Sequence, residues 1–206
     1  MVYLLDKFNN LLNRDGFRSY PTSDTAYNFL NLAQDKVIEN LVLTGDNNVL
    51  NDDHISPLLV LDQSLNKVGI NDSYKSYKYN SYSLPTNFKH LIRYKGIINN
   101  VVTKGSLVGI KNLDITLDNP FLKSSCNNLL FTIASDKLNC YYKDFVVSNV
   151  LIDYIKVPPV VNLTTDLYTK DNNHIVELAV NLYIETLSKM NKLNSVPNTS
   201  HQLNIK

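Results

Sequence analysis

The sequence predicts an α+β fold with N-terminal helices, a central antiparallel β-sheet or sandwich, and a C-terminal amphipathic helix with an extended tail. Apolar residues recur at helical spacing near the N-terminus and again after residue 171, and strand-like segments fill the region between them. We therefore expect an N-terminal helical segment over 1–44 and a β-rich core over 45–170. A helix over 171–190 packs with the N-terminal helices, and an extended tail covers 191–206.

Two helices are predicted before residue 45. The first runs from Val2 to Leu12 and closes at residues 13–16. The second runs from about Asp24 to Leu43, with Thr22 or Ser23 as its N-terminal cap and Gly45 as its end. Its apolar stripe predicts core packing and comprises Tyr27, Leu30, Ala33 or Gln34, Val37, Ile38, Leu41 and Val42.

The segment from 45 to 128 is expected to contain short strands separated by polar turns. The acidic residues of the loop 45–54 miss the spacing of a calcium-binding loop, so we interpret the loop as a connector. We expect strands at 57–61 and 91–98, and irregular structure at 64–73. Asn99-Asn100, Lys104-Gly105 and the loop beginning at 119 punctuate the strands that follow.

The clearest structural signal runs from Asn127 to Pro159. Residues 129–134 and 138–142 alternate on either side of a turn at 135–137, which predicts a β-hairpin. Residues 145–157 then form a β-branched run with two partly apolar faces, which is typical of a central strand. Pro158-Pro159 ends it. We expect these three strands to form an antiparallel core.

Residues 74–82 contain four tyrosines interleaved with lysine and serine, namely Tyr74, Tyr77, Tyr79 and Tyr82. This pattern has three possible interpretations. Aromatic residues beside lysines can stack on single-stranded nucleic acid. Tyrosines can also form a stacking platform for glycans. We favour a half-buried strand whose lysines face water, since tyrosine is a good strand former at a wet interface.

Composition excludes several classes of protein. The 206 residues carry a net charge of +1, which argues against a protein that binds the groove of duplex DNA. Cys126 and Cys140 lack a metal-binding or disulfide pattern, and no cofactor fingerprint occurs. No signal peptide or membrane span is indicated. We expect a soluble protein of a reducing compartment, without metal or cofactor.

The candidate catalytic residues do not assemble into a motif. The sequence has four histidines, His54, His90, His174 and His201, and no two of them have the spacing of a helical metal site. Among the carboxylates Asp136, Asp144 and Asp153, the first two fit turns and only Asp153 lies within a strand. A small hydrolase using Asp153 stays an alternative, but the sequence favours a protein that is not an enzyme and has no catalytic residues.

Three pieces of sequence in this order resemble the ring or adaptor proteins that lie between portal and tail in short-tailed phages, in particular crAss-like phages of gut Bacteroidales. They are SLPTNFKHLIRY (83–94), DNPFLKSSCNNLLF (118–131), and VLIDYIKVPPVVNL (150–163) with HIVELAVNLYIE (174–185). The resemblance covers roughly 20–190 and is weakest over 45–75. Residues 164–170 depart from it, because relatives carry an acidic Leu-Pro-rich segment there.

The resemblance implies a structural virion protein, a head–tail connector made in the cytoplasm of the host bacterium. Twelve copies would form a ring that contacts the portal protein and further tail or collar ring proteins. DNA would pass through the lumen without sequence-specific binding, and no membrane is involved. Ring contacts need exposed edges and apolar patches, for which we expect the tyrosine strand and the tail: Tyr74, Tyr77, Tyr79, Tyr82, Leu193, Val196, Leu203 and Ile205. The alternative is a β-rich glycan-binding module of a phage tail.

Overall fold

The computed structural model describes residues 2–17, 20–43, 55–168 and 172–194. The chain divides into a helical unit, Met1–Pro57 with Pro158–Lys206, and a sheet unit, Leu58–Val157. The helices are α1 (Val2–Arg14), α2 (Ser23–Leu43), α3 (Leu113–Asp118) and α4 (Asn173–Asn194). Helices and a large β-sheet together confirm the α+β class.

Helices α1, α2 and α4 form the helical unit. Gly16 adopts a φ of 83° just after α1, the left-handed conformation that commonly ends a helix. The Thr22 hydroxyl accepts a hydrogen bond from the Thr25 backbone N–H at 3.3 Å, so Thr22 caps α2. Both predicted helices therefore form close to their expected bounds.

The apolar stripes of the three helices meet in one core. Tyr183 of α4 packs its ring against Phe8 of α1 and Phe29 of α2, with ring centroids 6.1 Å and 5.4 Å apart. The C-terminal helix thus packs on both N-terminal helices. The buried members of this core include Leu4, Phe8, Leu12, Tyr27, Leu30, Ala33, Val37, Ile175, Val176, Ala179, Val180 and Tyr183.

Two predicted boundaries need correction. Residues 158–168 were expected in the β-rich core, but Val161 and Leu167 are buried in the helical core. Val161 exchanges hydrogen bonds with the Asn31 side chain at 2.8 and 3.1 Å, which fixes this segment on α2. The C-terminal helix also continues to Asn194 instead of ending at 190. The predicted loop 45–54 and residues 195–206 lie outside the described residues.

The sheet unit contains one eight-stranded sheet in the order β1-β8-β4-β5-β6-β7-β3-β2. Every neighbouring pair is antiparallel except β5 and β6, so the predicted antiparallel sheet is in fact mixed. The strands are β1 (Leu59–Ser64), β2 (Lys67–Tyr74), β3 (Tyr77–Ser83), β4 (Phe88–Ile98), β5 (Val101–Leu107), β6 (Leu129–Ala134), β7 (Lys137–Tyr142) and β8 (Asn149–Lys156).

The predicted hairpin and the predicted central strand both form, but they are not neighbours. β6 and β7 pair across the turn at Ser135-Asp136. β8 instead pairs with β1 and β4, so the expected three-stranded core is wrong. The segment after the hairpin crosses to the other half of the sheet, a long-range choice that local alternation does not specify.

Two turn predictions had different outcomes. Asn99 and Asn100 both have positive φ and connect β4 to β5, as expected. Lys104-Gly105 lies inside β5, where the missing side chain of Gly105 makes room for the ring of Phe131.

Residues 64–73, expected to be irregular, form most of β2, whose pairing with β3 is interrupted by two register shifts.

The connection between β1 and β2 requires the sheet to curl. These strands lie at opposite ends of the sheet, yet only Leu65 and Asn66 separate them along the chain. The sheet must therefore bend round until its two ends approach. Its concave face holds the larger apolar core of the unit: Leu65, Tyr82, Ile98, Leu129, Phe131, Leu138, Cys140, Tyr142, Val147, Val150, Ile152 and Tyr154.

The helix α3 covers a smaller apolar cluster on the convex face of β3, β6 and β7. Leu113 and Leu117 of α3 are buried against Tyr77, Leu130 and Tyr141. The sequence did not predict this six-residue helix, because LDITLD contains β-branched residues and lacks the length of a helical repeat.

Candidate functional site

A buried carboxylate organises the convex face of β1, β8 and β4. Asp153 of β8 has no exposed surface, and its Oδ2 accepts a hydrogen bond from Arg93 Nε at 2.6 Å. Lys95 Nζ lies 3.3 Å from the same oxygen. The backbone N–H of Asp62 donates to Asp153 Oδ1 at 2.7 Å. One fully buried carboxylate thus holds two cations and the backbone of the edge strand.

The antiparallel register explains why these residues meet. Arg93 of β4 lies directly opposite Asp153 of β8. Between Val60 and Gln63, β1 bulges away from regular pairing with β8, and Asp62 adopts a φ of 50° there. Aspartate tolerates this left-handed conformation better than most residues. The bulge aims the Asp62 N–H at Asp153 and its carboxylate at Lys95 Nζ, 2.5 Å away.

The charges in this cluster shift one another's protonation. Burial alone would raise the pKa of Asp153, but the Asp62 N–H, Lys95 and Arg93 outweigh burial and hold that pKa below its ordinary value. Burial alone would lower the pKa of Lys95, whereas its hydrogen bonds to Asp62 and Asp153 leave it raised. Asp153 and Lys95 are therefore both charged near neutral pH.

Beside this cluster the sheet opens into a fork between β4 and β5. Their pairing begins at Lys95 opposite Lys104 and runs to the hairpin turn, whereas β5 pairs with β6 from Gly105 onward. The Tyr94 hydroxyl accepts a hydrogen bond from the Leu107 N–H at 2.8 Å across the opening. The fork contains a cavity of about 210 Å³ lined by Ile92, Arg93, Tyr94, Lys95, Lys104 and Gly105.

The fork is a binding arrangement more than a catalytic one. It presents three cations, and the carboxylate behind them has no exposed surface through which to reach a substrate. The alternative hydrolase reading needs Asp153 to contact water or substrate, whereas its oxygens are engaged by Arg93, Lys95 and Asp62. What this arrangement can do chemically is attract an anion.

The four tyrosines named from the sequence do not form a shared surface. Tyr74 ends β2, and the other three lie on β3, which is an interior strand. Tyr77 and Tyr82 are buried at 6% and 1% exposure, so their predicted role as contact residues is wrong for this fold. Tyr79 packs on Tyr141 with ring centroids 5.2 Å apart. Tyr74 keeps an exposed ring, and its hydroxyl donates to Asp114 at 2.8 Å.

The remaining residues named from the sequence are scattered. His90 lies in β4 and His174 in α4, while His54 and His201 fall outside the described residues. Leu193 lies in α4, and Val196, Leu203 and Ile205 fall outside the described residues. Cys126 is exposed and Cys140 buried, both as free thiols. Within the described ranges, no cluster of His, Cys, Asp and Glu could hold a metal ion.

Sequence reasoning missed Arg93, Lys95 and Lys104 as a group. One signal was present: Arg93 and Lys95 alternate on a predicted strand, as two residues on one face do. Asp153 was singled out because it interrupts an apolar strand. What brings these residues together is the β4–β8 register, which the local pattern does not contain.

A second exposed feature surrounds α3, and we call it the α3 patch. It comprises four large apolar side chains on and beside α3: Ile110 (60% exposed), Ile115 (71%), Phe121 (92%) and Leu122 (52%). Lys75 holds α3 to the turn between β2 and β3 through ion pairs to Asp114 at 2.9 Å and Asp118 at 2.7 Å. These ion pairs therefore fix the position of α3 relative to the β2–β3 turn.

Comparison with models of known protein families finds no match, and a search of curated proteins finds none with significant similarity. Among the described helices, none has the length and apolar character needed to cross a lipid bilayer.

Proposed function

We propose that this protein is a structural virion component, a head–tail connector of a short-tailed phage, whose copies assemble side by side into a ring. In this role the ring has twelve copies, docks on the portal and forms part of the channel through which DNA leaves the capsid. Further tail or collar ring proteins bind its other side. The protein is made in the cytoplasm of the host bacterium and ends in the virion.

The observation that carries the proposal is the α3 patch. Large apolar side chains grouped at the surface are typical of protein contact sites, because their burial on assembly removes apolar area from water. Phe121, at 92% exposure, is a natural anchor for a pocket on a neighbouring copy. In a ring each copy offers one surface to a different surface of the next, so a single patch of this kind suffices.

The edges of the sheet favour contact through side chains over strand addition. β1 carries the bulge at Asp62, and β2 carries two register shifts along its pairing with β3. Irregular edge strands resist pairing with a strand of another molecule. The irregular edges support a proposed ring contact through α3 over one through strand pairing.

A glycan-binding module is the second candidate, and the tyrosine burial weighs against it. Stacking on a sugar needs exposed aromatic faces in a concave site, whereas Tyr77 and Tyr82 are buried and Tyr79 packs on Tyr141. Tyr74 alone among the four keeps more than a third of its surface exposed.

Light scattering of the purified chain with and without the matching portal protein tests the connector proposal. We expect a large stoichiometric complex with portal. Phe121→Ser should weaken assembly at least tenfold, because a central apolar anchor of an interface contributes about 2 kcal/mol or more. Val160→Ser is the matched control, since Val160 is 66% exposed and belongs to the helical unit, whereas α3 belongs to the sheet unit.

Two results would count against this proposal. One is a chain that stays monomeric with portal at all concentrations. The other is an assembly in which Phe121→Ser and Val160→Ser have the same effect, which would move the contact away from α3.

A further inference from the structure

The fork between β4 and β5 combines three cations with an opening in the sheet. Arg93 and Lys95 line one side of it and Lys104 lines the other. Lys95 and Lys104 are directly opposite each other across the two strands. Like charges in directly opposite positions repel each other; Asp62 and Asp153 compensate Lys95, and an anion bound in the fork would compensate Lys104 as well.

Two of the three cations, Arg93 and Lys104, retain hydrogen-bond donors for a ligand. Arg93 binds Asp153 through Nε, and among the described residues no partner engages its two terminal nitrogens. Lys104 is exposed, and no ion pair to it is formed within the described part of the chain. Lys95 uses its ammonium on Asp62 and Asp153 and contributes mainly charge. A guanidinium with two free arms beside a free ammonium matches the tetrahedral oxygens of a phosphate.

The acidic groups nearby position the cations without cancelling them. Asp153 and Asp62 carry two negative charges against the three positive ones, which leaves the cluster net positive. Asp153 lies behind Arg93 and Lys95 with no exposed surface, so a ligand in the fork meets the cations first. A buried carboxylate that fixes two cations preorganises them for binding.

We propose that the fork is a phosphate-binding site that takes one phosphodiester of a nucleic-acid strand. The cavity of about 210 Å³ exceeds the roughly 30 Å³ that one water occupies, so it has room for a phosphate with accompanying waters. The side chain of Arg93 is about half exposed, so the site is accessible to a phosphate that belongs to a long chain.

Recognition at this site is through the backbone of the nucleic acid and not its bases. The ring of Tyr94 packs on Phe131 with centroids 5.4 Å apart, and its hydroxyl is bonded to Leu107, so this side chain is already engaged within the sheet. Contacts to phosphate position a nucleic acid without reading its sequence. In the connector proposed above, the fork would be part of the surface that contacts DNA. The phosphate site depends on that proposed function only for the choice of a nucleic acid over free phosphate as its ligand.

Fluorescence anisotropy with a single-stranded DNA oligonucleotide of about 12 nucleotides, measured over a salt series, tests the site on the isolated chain. Lys104→Gln should weaken binding several-fold at low salt and reduce the slope of log K against log salt by about 0.7, the loss of one phosphate contact. Lys137→Gln is the control, because Lys137 is an exposed lysine at the β6–β7 turn that does not line the fork. It should leave the slope unchanged.

Titration with inorganic phosphate, followed by amide shifts of residues 92–95 and 104–105, separates the two sources of phosphate. Shifts with phosphate together with oligonucleotide binding support the site, and shifts without oligonucleotide binding support it for a free phosphate ligand. No binding of either probe, or equal losses for Lys104→Gln and Lys137→Gln, would overturn it. No portal protein is present, so failure here leaves the connector proposal to its own test.

Discussion

At the scale of single residues, the burial of the Asp153 carboxylate determines what its neighbours must do. A carboxylate without exposed surface is tolerated only when charges and hydrogen bonds compensate its lost hydration. Arg93, Lys95 and the Asp62 N–H provide that compensation, and together they tie the edge strand β1 to the interior strands β8 and β4.

We expect Asp153→Asn to lower the free energy of unfolding by about 2–3 kcal/mol at neutral pH, since the amide leaves Arg93 and Lys95 without a counter-charge. Urea unfolding measures the loss. Asp136→Asn, at an exposed turn, is the control and should change stability by less than about 0.5 kcal/mol. Equal effects of the two substitutions would show that the charged cluster around Asp153 does not contribute to the free energy of unfolding.

The pH dependence of this difference follows from the lowered pKa of Asp153. A carboxyl group whose folded pKa lies below its unfolded value of about 3.9 stabilises the fold above that value. Its contribution is lost as the pH falls through the folded pKa. The stability gap between the wild type and Asp153→Asn should therefore be full at neutral pH and shrink below about pH 4.

At the scale of elements, the close approach of strands explains two glycines that lie within strands, Gly96 and Gly105. A Cβ at Gly105 would lie 2.3 Å from the Phe131 ring and 2.9 Å from the Leu129 carbonyl oxygen. Gly96 is similarly close to Leu129, with a Cβ distance of 2.2 Å to Cδ1. Leu129 and Phe131 therefore lie directly against the bare backbone of Gly96 and Gly105.

Gly105→Ala should cost about 2–3 kcal/mol of stability, because its methyl group would have to displace a fully buried ring and a backbone atom. Gly109→Ala is the paired control: nothing lies within 4 Å of its Cβ, and its φ of −64° suits any residue. It should be neutral or slightly stabilising. Thermal unfolding of both variants decides the matter, and a Gly105→Ala variant as stable as the wild type would contradict the close packing.

Most elements could be predicted from the sequence, because periodicity and capping are local. The helices α1, α2 and α4 and the β6–β7 hairpin follow from the spacing of apolar residues and from turn residues. The helix α3 and the strand β2 could not, since a short braced helix and an irregular edge strand owe their form to partners distant in sequence. The Lys75 ion pairs to Asp114 and Asp118 are an example.

The candidate site was predictable only in part, for the same reason. Asp153 attracts notice as an acid within an apolar strand, but its partners Arg93 and Lys95 become recognisable only once β4 is paired with β8. The tyrosines at 74–82 illustrate the reverse error. Their alternation correctly predicts strand, yet it says nothing about which strand forms the edge of the sheet.

At the scale of the whole molecule, the chain contains a sheet unit placed between the two parts of a helical unit. Leu59 pairs with Ile155, so the chain enters and leaves the sheet unit through neighbouring strands. The buried apolar clusters of the sheet unit lie entirely between Leu65 and Tyr154.

A fragment of residues 58–157 should therefore fold alone, with dispersed amide resonances and one cooperative thermal transition. A fragment of residues 65–157 lacks β1 and exposes the edge of β8, so it should be much less stable or aggregate. A 58–157 fragment without amide dispersion would show that the sheet unit needs the helices.

The pairing of the first strand, β1, with the last, β8, also constrains when during its synthesis the protein can fold. While a ribosome is still translating the middle of the chain, β1 has no partner, because β8 has not yet been synthesised. The helical core likewise waits for α4. Contacts so distant in sequence slow folding and prolong the time for which apolar strands stay exposed. We expect the native state to form only after β8 and α4 have both left the ribosome, so shorter nascent chains are the form most in need of a chaperone.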